Sequence, residues 1–266
     1  FLYGDGAFET MRAYAGIVFK LDAHLDRLFH SLKVINIRPP LRKKDLRDAV
    51  NRAIKINKLK SAYVRLAITR GEGRFGIDAF PELKPNTVII AKELDGYTED
   101  FYRRGIRVSI ARNTKQNEYS PVSGVKSLNF LNYILARMDA KKRGFDEAIL
   151  LNTEGCIAEG ASANIFIVKR GRIITPSSDS GILQGITRDV VIKIARRLKV
   201  AVEERRVRKN ELFGADEAFV TNSIQEVVPV TCVDNRNISG GRPGDITRLI
   251  RISYQKEVIY DTIHRV

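Results

Sequence analysis

Apolar positions recur along this chain with two periods that take turns. Leu21, Leu25, Leu28, Phe29 and Leu32 follow one another at spacings of three and four, as the buried face of a helix requires, and the short run Ile17-Val18-Phe19 before them reads as a strand. Pro39-Pro40 ends that unit, because proline removes a backbone donor and clashes with the preceding turn. Leu46, Val50, Ala53 and Ile54 mark a second amphipathic helix over residues 43–57. Strands are then predicted over residues 62–69, 87–91 and 106–111.

Residues 113–123 break the pattern. They are rich in Asn, Gln, Ser and Pro and poor in apolar side chains, so they read as a connector between domains at 1–112 and 124–266. The second domain is predicted to hold a helix over 127–142, strands over 147–151, 164–168 and 172–174, and a helix over 187–199. Strands over 200–207, 217–221 and 227–233 follow, then a helix from about residue 245. Helices and strands mix throughout, which places the chain in the α/β or α+β class with two domains.

Composition narrows the function. With 266 residues, 44% apolar and 29% charged, the chain has enough material for proper cores and is not a disordered class. No apolar run approaches the ~20 residues that span a bilayer, and no segment reads as a signal peptide. The two cysteines, Cys156 and Cys232, form no CxxC pair, which suits a reducing cytoplasm. The three histidines show no ligand spacing with cysteine, so no metal site is expected. The net charge of +15 raises the question of nucleic acid. Basic and acidic residues are interspersed, however, as in Arg42-Lys43-Lys44-Asp45 and Glu203-Glu204-Arg205-Arg206, and no basic run is interleaved with aromatics. A solvated basic surface is the expectation, with no nucleic-acid partner.

A few residues could carry chemistry. Lys126, between Val125 and Ser127-Leu128, is either a surface lysine at a helix start or an amine partly out of water, which would favour its neutral, nucleophilic form. Glu159, among Ala158, Gly160 and Ala161, is either a loop carboxylate or one that a planar ring can approach closely. Gly185-Ile186-Thr187 opens an apolar helix, whose first-turn N–H groups and Thr187 hydroxyl suit an anion as well as a plain cap. Arg27, on the first helix, is a solvated side chain or a phosphate ligand. The literal GxGxxG of Gly71-Glu72-Gly73-Arg74-Phe75-Gly76 lacks the following helix of a dinucleotide site, since Pro81 and Pro85 interrupt it.

Four segments taken together resemble a known family. His24-Leu25-Asp26-Arg27-Leu28, Val125-Lys126-Ser127-Leu128-Asn129, Ile157-Ala158-Glu159-Gly160-Ala161-Ser162-Ala163-Asn164 and Gly185-Ile186-Thr187-Arg188-Asp189 resemble, in this order, the motifs of the class IV aminotransferases of fold type IV. The resemblance covers nearly the whole chain. It implies pyridoxal 5'-phosphate as cofactor, held in a cleft between two α/β domains, and a homodimer. It assigns the cofactor amine to Lys126, the ring-nitrogen carboxylate to Glu159, and phosphate contacts to Arg27, Ile186, Thr187 and Ser223. The backbone around Ser223 and Ile224 would receive the substrate carboxylate. The segment 71–76 would be a mobile loop over the active site. Family members carry a further segment before the match to Tyr3-Gly4-Asp5-Gly6, so the chain reads as N-terminally incomplete, with a strand missing.

Within the family, the Arg-x-His substrate trap of D-amino-acid aminotransferases is replaced by Phe75 and Ile77. Tyr63-Val64-Arg65 resembles the Tyr-x-Arg of branched-chain aminotransferases, and Tyr3 and Phe8 match their aromatic pocket positions. Transamination of leucine, isoleucine and valine with 2-oxoglutarate is the leading reading, with Arg65 or Arg74 for the distal carboxylate of glutamate. Aminodeoxychorismate lyase is one alternative, because Tyr3 to Thr10 also resembles its glycine-rich start, and another class IV transaminase is the other. One departure stands out: Phe130 replaces the tyrosine that many branched-chain enzymes use to donate to the cofactor's ring hydroxyl oxygen, and Tyr133 is the nearest candidate to replace it.

Overall fold

The computed structural model describes residues 3–73 and 83–263. Arg74, Phe75, Gly76 and Ile77, on which the loop, the second cation and the missing trap were placed, lie outside the described residues. The chain divides into two units, one of residues 1–95, 125–130 and 260–266, the other of residues 96–124 and 131–259.

The first unit is an antiparallel sheet with helices on one face. Its elements are β1 (Gly6–Tyr14), β2 (Ile17–Val18), α1 (Leu21–Val34), α2 (Lys43–Ile56), β3 (Ala62–Thr69) and β4 (Asn86–Glu93), with strand order β2-β1-β3-β4. Strand side chains alternate between faces, so Ala7, Met11 and Ala13 of β1 meet Val64, Leu66 and Ile68 of β3 in one core. Leu25, Leu28 and Leu32 of α1 and Leu46, Val50 and Ile54 of α2 close that core, as the helical spacing predicts. On the opposite face lie Phe8, Tyr63 and Arg65, together with Val88 and Ile90, which are 42% and 41% exposed.

The second unit holds α3 (Glu99–Arg104), β5 (Ile106–Gln116), α4 (Leu131–Lys142), β6 (Glu147–Asn152), β7 (Cys156–Gly160), β8 (Asn164–Lys169), β9 (Arg172–Thr175) and α5 (Ile186–Arg197). It continues with β10 (Val202–Glu204), β11 (Val207–Arg208), α6 (Lys209–Phe213), β12 (Glu217–Asn222), β13 (Glu226–Val233) and β14 (Arg236–Asn237). The long helix α7 (Asp245–Ile263) begins in this unit. The strands form one sheet in the order β10-β9-β8-β12-β13-β5-β6-β7-β11, with β14 on β13. Residues 161–163 join β7 to β8 although the ladder sets these strands far apart, so the sheet curls until they meet, and the Gly160 N–H donates to the Ala163 carbonyl at 2.6 Å. On β6, Ile149 faces the large apolar cluster with Ile110, Ile165 and Val220, while Ala148 and Leu150 on the other face pack with Ala136 and Ala140 of α4.

Two boundaries differ from the sequence reading. Residues 106–116 form β5, which pairs with β13 and β6, so the stretch before the expected connector belongs to the second unit and part of the connector is strand. The helix expected from residue 127 begins at Leu131. Residues 125–130 instead group with the first unit, where backbone pairing at the edge of β1 outweighs their helical pattern.

Leu66 is fully buried in the core of the first unit. Leu66→Ala should destabilise the protein by about 2–5 kcal/mol, through lost apolar transfer and the cavity left behind. Urea unfolding of the variant beside the parent measures it, and a loss below about 1 kcal/mol would refute this placement.

Candidate active site

The first unit brings Lys126 over the start of β1. The Phe8 N–H donates to the Lys126 carbonyl and the Leu128 N–H to the Gly6 carbonyl, both at 2.9 Å, with Ser127 opposite Ala7. This close crossing needs glycine at position 6: a Cβ there would sit 2.5 Å from the Ile68 carbonyl oxygen and 2.7 Å from Leu128 Cδ1. The Lys126 amide donates to Ser31 Oγ of α1 at 3.3 Å. Its Nζ lies 4.7 Å from the centroid of the Phe8 ring and 5.8 Å from that of Phe130, and the two rings meet edge-on at 5.5 Å. Aromatic faces attract a cation such as the lysine ammonium.

Beneath that segment lies a buried charge cluster. Glu9 sits on the core face of β1, between Ala7 and Met11, and is fully buried. Arg27 Nε and Nη2 donate to its two oxygens, each at 2.8 Å, and His24 Nδ1 is 2.8 Å from Oε2. His24 and Arg27 are three residues apart on α1 and so share one face. Burial pushes the Glu9 carboxyl up, but the Arg27 charge and hydrogen bonds and the His24 bond outweigh it, leaving a value of about 2 against the ordinary 4.5. Burial also lowers His24; its bond and attraction to Glu9 oppose that, and the charges of Arg27 and Lys126 reinforce it. Neutral His24 with Nδ1–H toward Glu9 is the consistent state. Arg27, predicted to bind phosphate, is thus held bidentate by Glu9. The signal for Glu9 was present in the sequence: a carboxylate on the apolar face of an alternating strand is anomalous.

Of the other positions singled out on this unit, Phe8 is buried and carries the Arg65 guanidinium over its ring at 3.9 Å, while Tyr63 is half-buried opposite Arg12. Tyr3, expected to line an apolar pocket with Phe8, is 58% exposed.

The second unit gathers the remaining groups. Glu159 lies on β7, not in a loop, and is only 5% exposed. Its Oε1 accepts from the Tyr133 hydroxyl at 2.9 Å; its Oε2 accepts from the Leu183 N–H at 2.9 Å and from Asn164 Nδ2 at 3.3 Å. Burial first, then the Glu159 charge and the bond to it, raise the Tyr133 hydroxyl far above its ordinary range, so it remains a donor. Asn164 also donates to the Leu183 carbonyl at 2.8 Å. Asn164 and Leu183 had no assigned role in the sequence reading, because only the fold brings them to Glu159. Tyr133, the nearest candidate for the cofactor's ring oxygen, donates its proton to Glu159 instead.

Helix α5 begins at Ile186, with Gly185 as N-cap and no side chain capping its first turn. Thr187 therefore lies inside the helix and is not its cap, leaving first-turn N–H groups of the kind that receive anions. A Cβ at Gly185 would stand 2.0 Å from Asn164 Oδ1, so this entry is closed to other residues. Ser223 and Ile224 occupy the turn between β12 and β13. There Asn222 Oδ1 accepts the Ile224 N–H at 3.0 Å and the Gln225 N–H at 2.7 Å, so the Ile224 amide assigned to the substrate carboxylate already has an acceptor.

Residues 6–233 match the family model described as amino-transferase class IV. The chain belongs to the class IV aminotransferases. A Methanocaldococcus jannaschii protein that carries the name branched-chain-amino-acid aminotransferase provisionally is 42% identical over 254 residues, covering 96% of this chain and 87% of the relative. The aminodeoxychorismate lyase of Bacillus subtilis is 34% identical over 260 residues, covering 97% and 87%. Among solved structures, a T.th. branched-chain amino acid aminotransferase with pyridoxamine 5'-phosphate superposes with a TM-score of 0.93 at 32% identity, covering 97% of this chain and 87% of that one.

The cofactor of this class is pyridoxal phosphate. The residues of this aminotransferase fit it on their own chemistry. Glu159 is a buried carboxylate held by donors, α5 opens without a side-chain cap, and the buried Thr221 Oγ1, opposite Asn164 in the ladder, has no hydrogen-bond partner among the described residues. Among those residues no helix is long and apolar enough to cross a membrane, and no His, Cys, Asp or Glu cluster could hold a metal ion.

The Glu9 cluster sets an acid dependence of stability. Both folded values lie below the unfolded ones, so the His24 contribution is complete above about pH 6.5 and that of Glu9 above about pH 4.5; each is lost as pH falls below these values. Urea unfolding should show stability falling from pH 6.5 toward pH 2. Glu9→Gln should cost about 3–5 kcal/mol at pH 7, by leaving Arg27 without its counter-charge, and should flatten the slope below pH 4.5. A variant with unchanged stability and slope would contradict the cluster.

Proposed function

We propose that this aminotransferase exchanges the amino group between branched-chain L-amino acids (leucine, isoleucine, valine) and 2-oxoglutarate. The observation that carries the reading is the setting of Lys126 Nζ beside the Phe8 and Phe130 rings, aromatic surfaces that suit an aliphatic side chain. The resemblance of Tyr63-Val64-Arg65 to the branched-chain enzymes and the 42% identical relative support it.

Pyridoxal phosphate, when bound, supplies an aldehyde for the substrate amine and a ring that takes up the electron pair released at the substrate Cα. Lys126 would hold the cofactor's aldehyde between turnovers, and its freed Nζ would take the proton from the substrate Cα and pass it to the carbon that carried the aldehyde. Glu159 would keep the ring nitrogen protonated. The phosphate would be held by first-turn N–H groups at Ile186 and Thr187, by the Thr187 and Ser223 hydroxyls, and by Arg27, whose guanidinium Glu9 orients. Arg65 receives the distal carboxylate of glutamate, with Phe8, Tyr3 and Tyr63 around the substrate. The backbone of the Ser223–Ile224 turn takes the substrate carboxylate once Asn222 releases the Ile224 N–H. We also infer a homodimer, for which the exposed Val88 and Ile90 offer apolar surface, and a reducing compartment such as the cytoplasm, which suits the free Cys156 and Cys232.

The lyase reading is supported by the glycine-rich start at Tyr3 to Thr10 and by the 34% identical aminodeoxychorismate lyase of Bacillus subtilis. Product analysis separates the two. With pyridoxal phosphate, the protein should convert L-leucine and 2-oxoglutarate to 4-methyl-2-oxopentanoate and L-glutamate. Pyruvate release from aminodeoxychorismate, with no turnover of branched amino acids, would overturn the choice. Borohydride reduction of the loaded protein should tether the cofactor to the peptide bearing Lys126, as read by mass spectrometry. Lys126→Ala should lose the tether and several orders of magnitude of turnover; a tether on another lysine would refute the assignment.

A further inference from the structure

The Tyr133 hydroxyl is spent on Glu159, a use that no motif assigns to it. Tyr133 stands in the first turn of α4, near the Phe130 position where many branched-chain enzymes carry their tyrosine. Its oxygen donates to Glu159 Oε1 at 2.9 Å, and the Gln116 side chain in turn bonds to the Tyr133 hydroxyl, so two elements fix its direction. The other Glu159 oxygen is bound by Leu183 and Asn164, so donors reach the carboxylate from α4, β8 and the segment before α5.

We propose that Tyr133 is a positioning residue that sets the basicity of Glu159 toward the cofactor's ring nitrogen. The inference rests on the reading of Glu159 as the ring-nitrogen partner. A hydrogen bond donated to an ionised carboxylate stabilises its charge and makes it a weaker base. A proton shared between the ring nitrogen and Glu159 therefore stays on the nitrogen while Tyr133 donates. Without that donor the carboxylate competes better for the proton, the ring loses positive charge, and it accepts the Cα electron pair less readily. Phe130 has no hydroxyl to contribute, which makes Tyr133 the tyrosine of this segment that bears on the electronics of the ring.

The test is Tyr133→Phe, which keeps the ring and removes the donor. The loaded protein and the variant are prepared with pyridoxal phosphate labelled with ¹⁵N in the ring, and the nitrogen chemical shift is followed against pH. The parent should show a protonated ring nitrogen over the working range. The variant should move toward the neutral shift over that same range, and should lose roughly tenfold in kcat, the size of one charge-assisted hydrogen bond, with KM little changed. A merely structural role would alter folding or cofactor affinity and leave the nitrogen shift in place, and that result overturns the proposal. Glu159→Gln keeps the two readings apart. If it abolishes the protonated signal while Tyr133→Phe leaves it untouched, Glu159 stands and the role of Tyr133 fails; if neither variant moves the signal, both fail.

Discussion

A carboxylate removed from water must be met by donors on every side, and much of the second unit can be read as the means of meeting that demand at Glu159. Its charge is stabilised by a side chain from α4, an amide from β8 and a backbone N–H at Leu183, three segments that sequence keeps apart. To bring them together the long sheet has to curl, so that β7 and β8 meet through residues 161–163. The entry to α5 is tied to the same point: Asn164 bonds both Glu159 and the Leu183 carbonyl, and its Oδ1 leaves room at position 185 only for glycine. Losing any one donor would leave an under-satisfied buried charge, which costs more than the bond itself contributes.

The first unit repeats the logic with a different partner set. Glu9 is buried against Arg27 and His24, and the result is an arginine whose direction is fixed before any anion arrives. A preorganised guanidinium loses less conformational freedom on binding phosphate than a solvated one. The same strand supplies Phe8 beside the Lys126 amine, with adjacent residues Phe8 and Glu9 turned to opposite faces of the sheet. One alternation thus serves the aromatic rings beside Lys126 on one side and a charge cluster on the other.

Much of the fold was legible because burial leaves a period. Helices α1 and α2 and strand β3 fall where apolar spacing puts them, since each buries a continuous face. The pattern failed where long-range pairing decides. Residues 127–130 carry a helical signature but lie along the edge of β1, whose partner residues are more than a hundred positions away. Strand β7 was missed because Glu159 and Gly160 read as a turn, and its burial comes from the curl of the sheet. Candidate groups such as Lys126, Glu159 and Thr187 could be chosen by motif. The orienting roles of Asn164 and Tyr133 could not be read, because a hydrogen bond to Glu159 across 5 or 26 positions leaves no spacing to follow, and Glu9 showed only as a carboxylate on an apolar strand face.

The central claim is that the donors around Glu159 and the uncapped start of α5 together form a binding face for a pyridine ring that carries a phosphate. A crystal structure of the protein grown with pyridoxal phosphate tests it most directly. The account predicts the ring nitrogen within hydrogen-bond distance of Glu159, Tyr133 still donating to that carboxylate, and the phosphate on the N–H groups of Ile186 and Thr187. A cofactor bound with its ring nitrogen in solvent, or its phosphate away from α5, would contradict it.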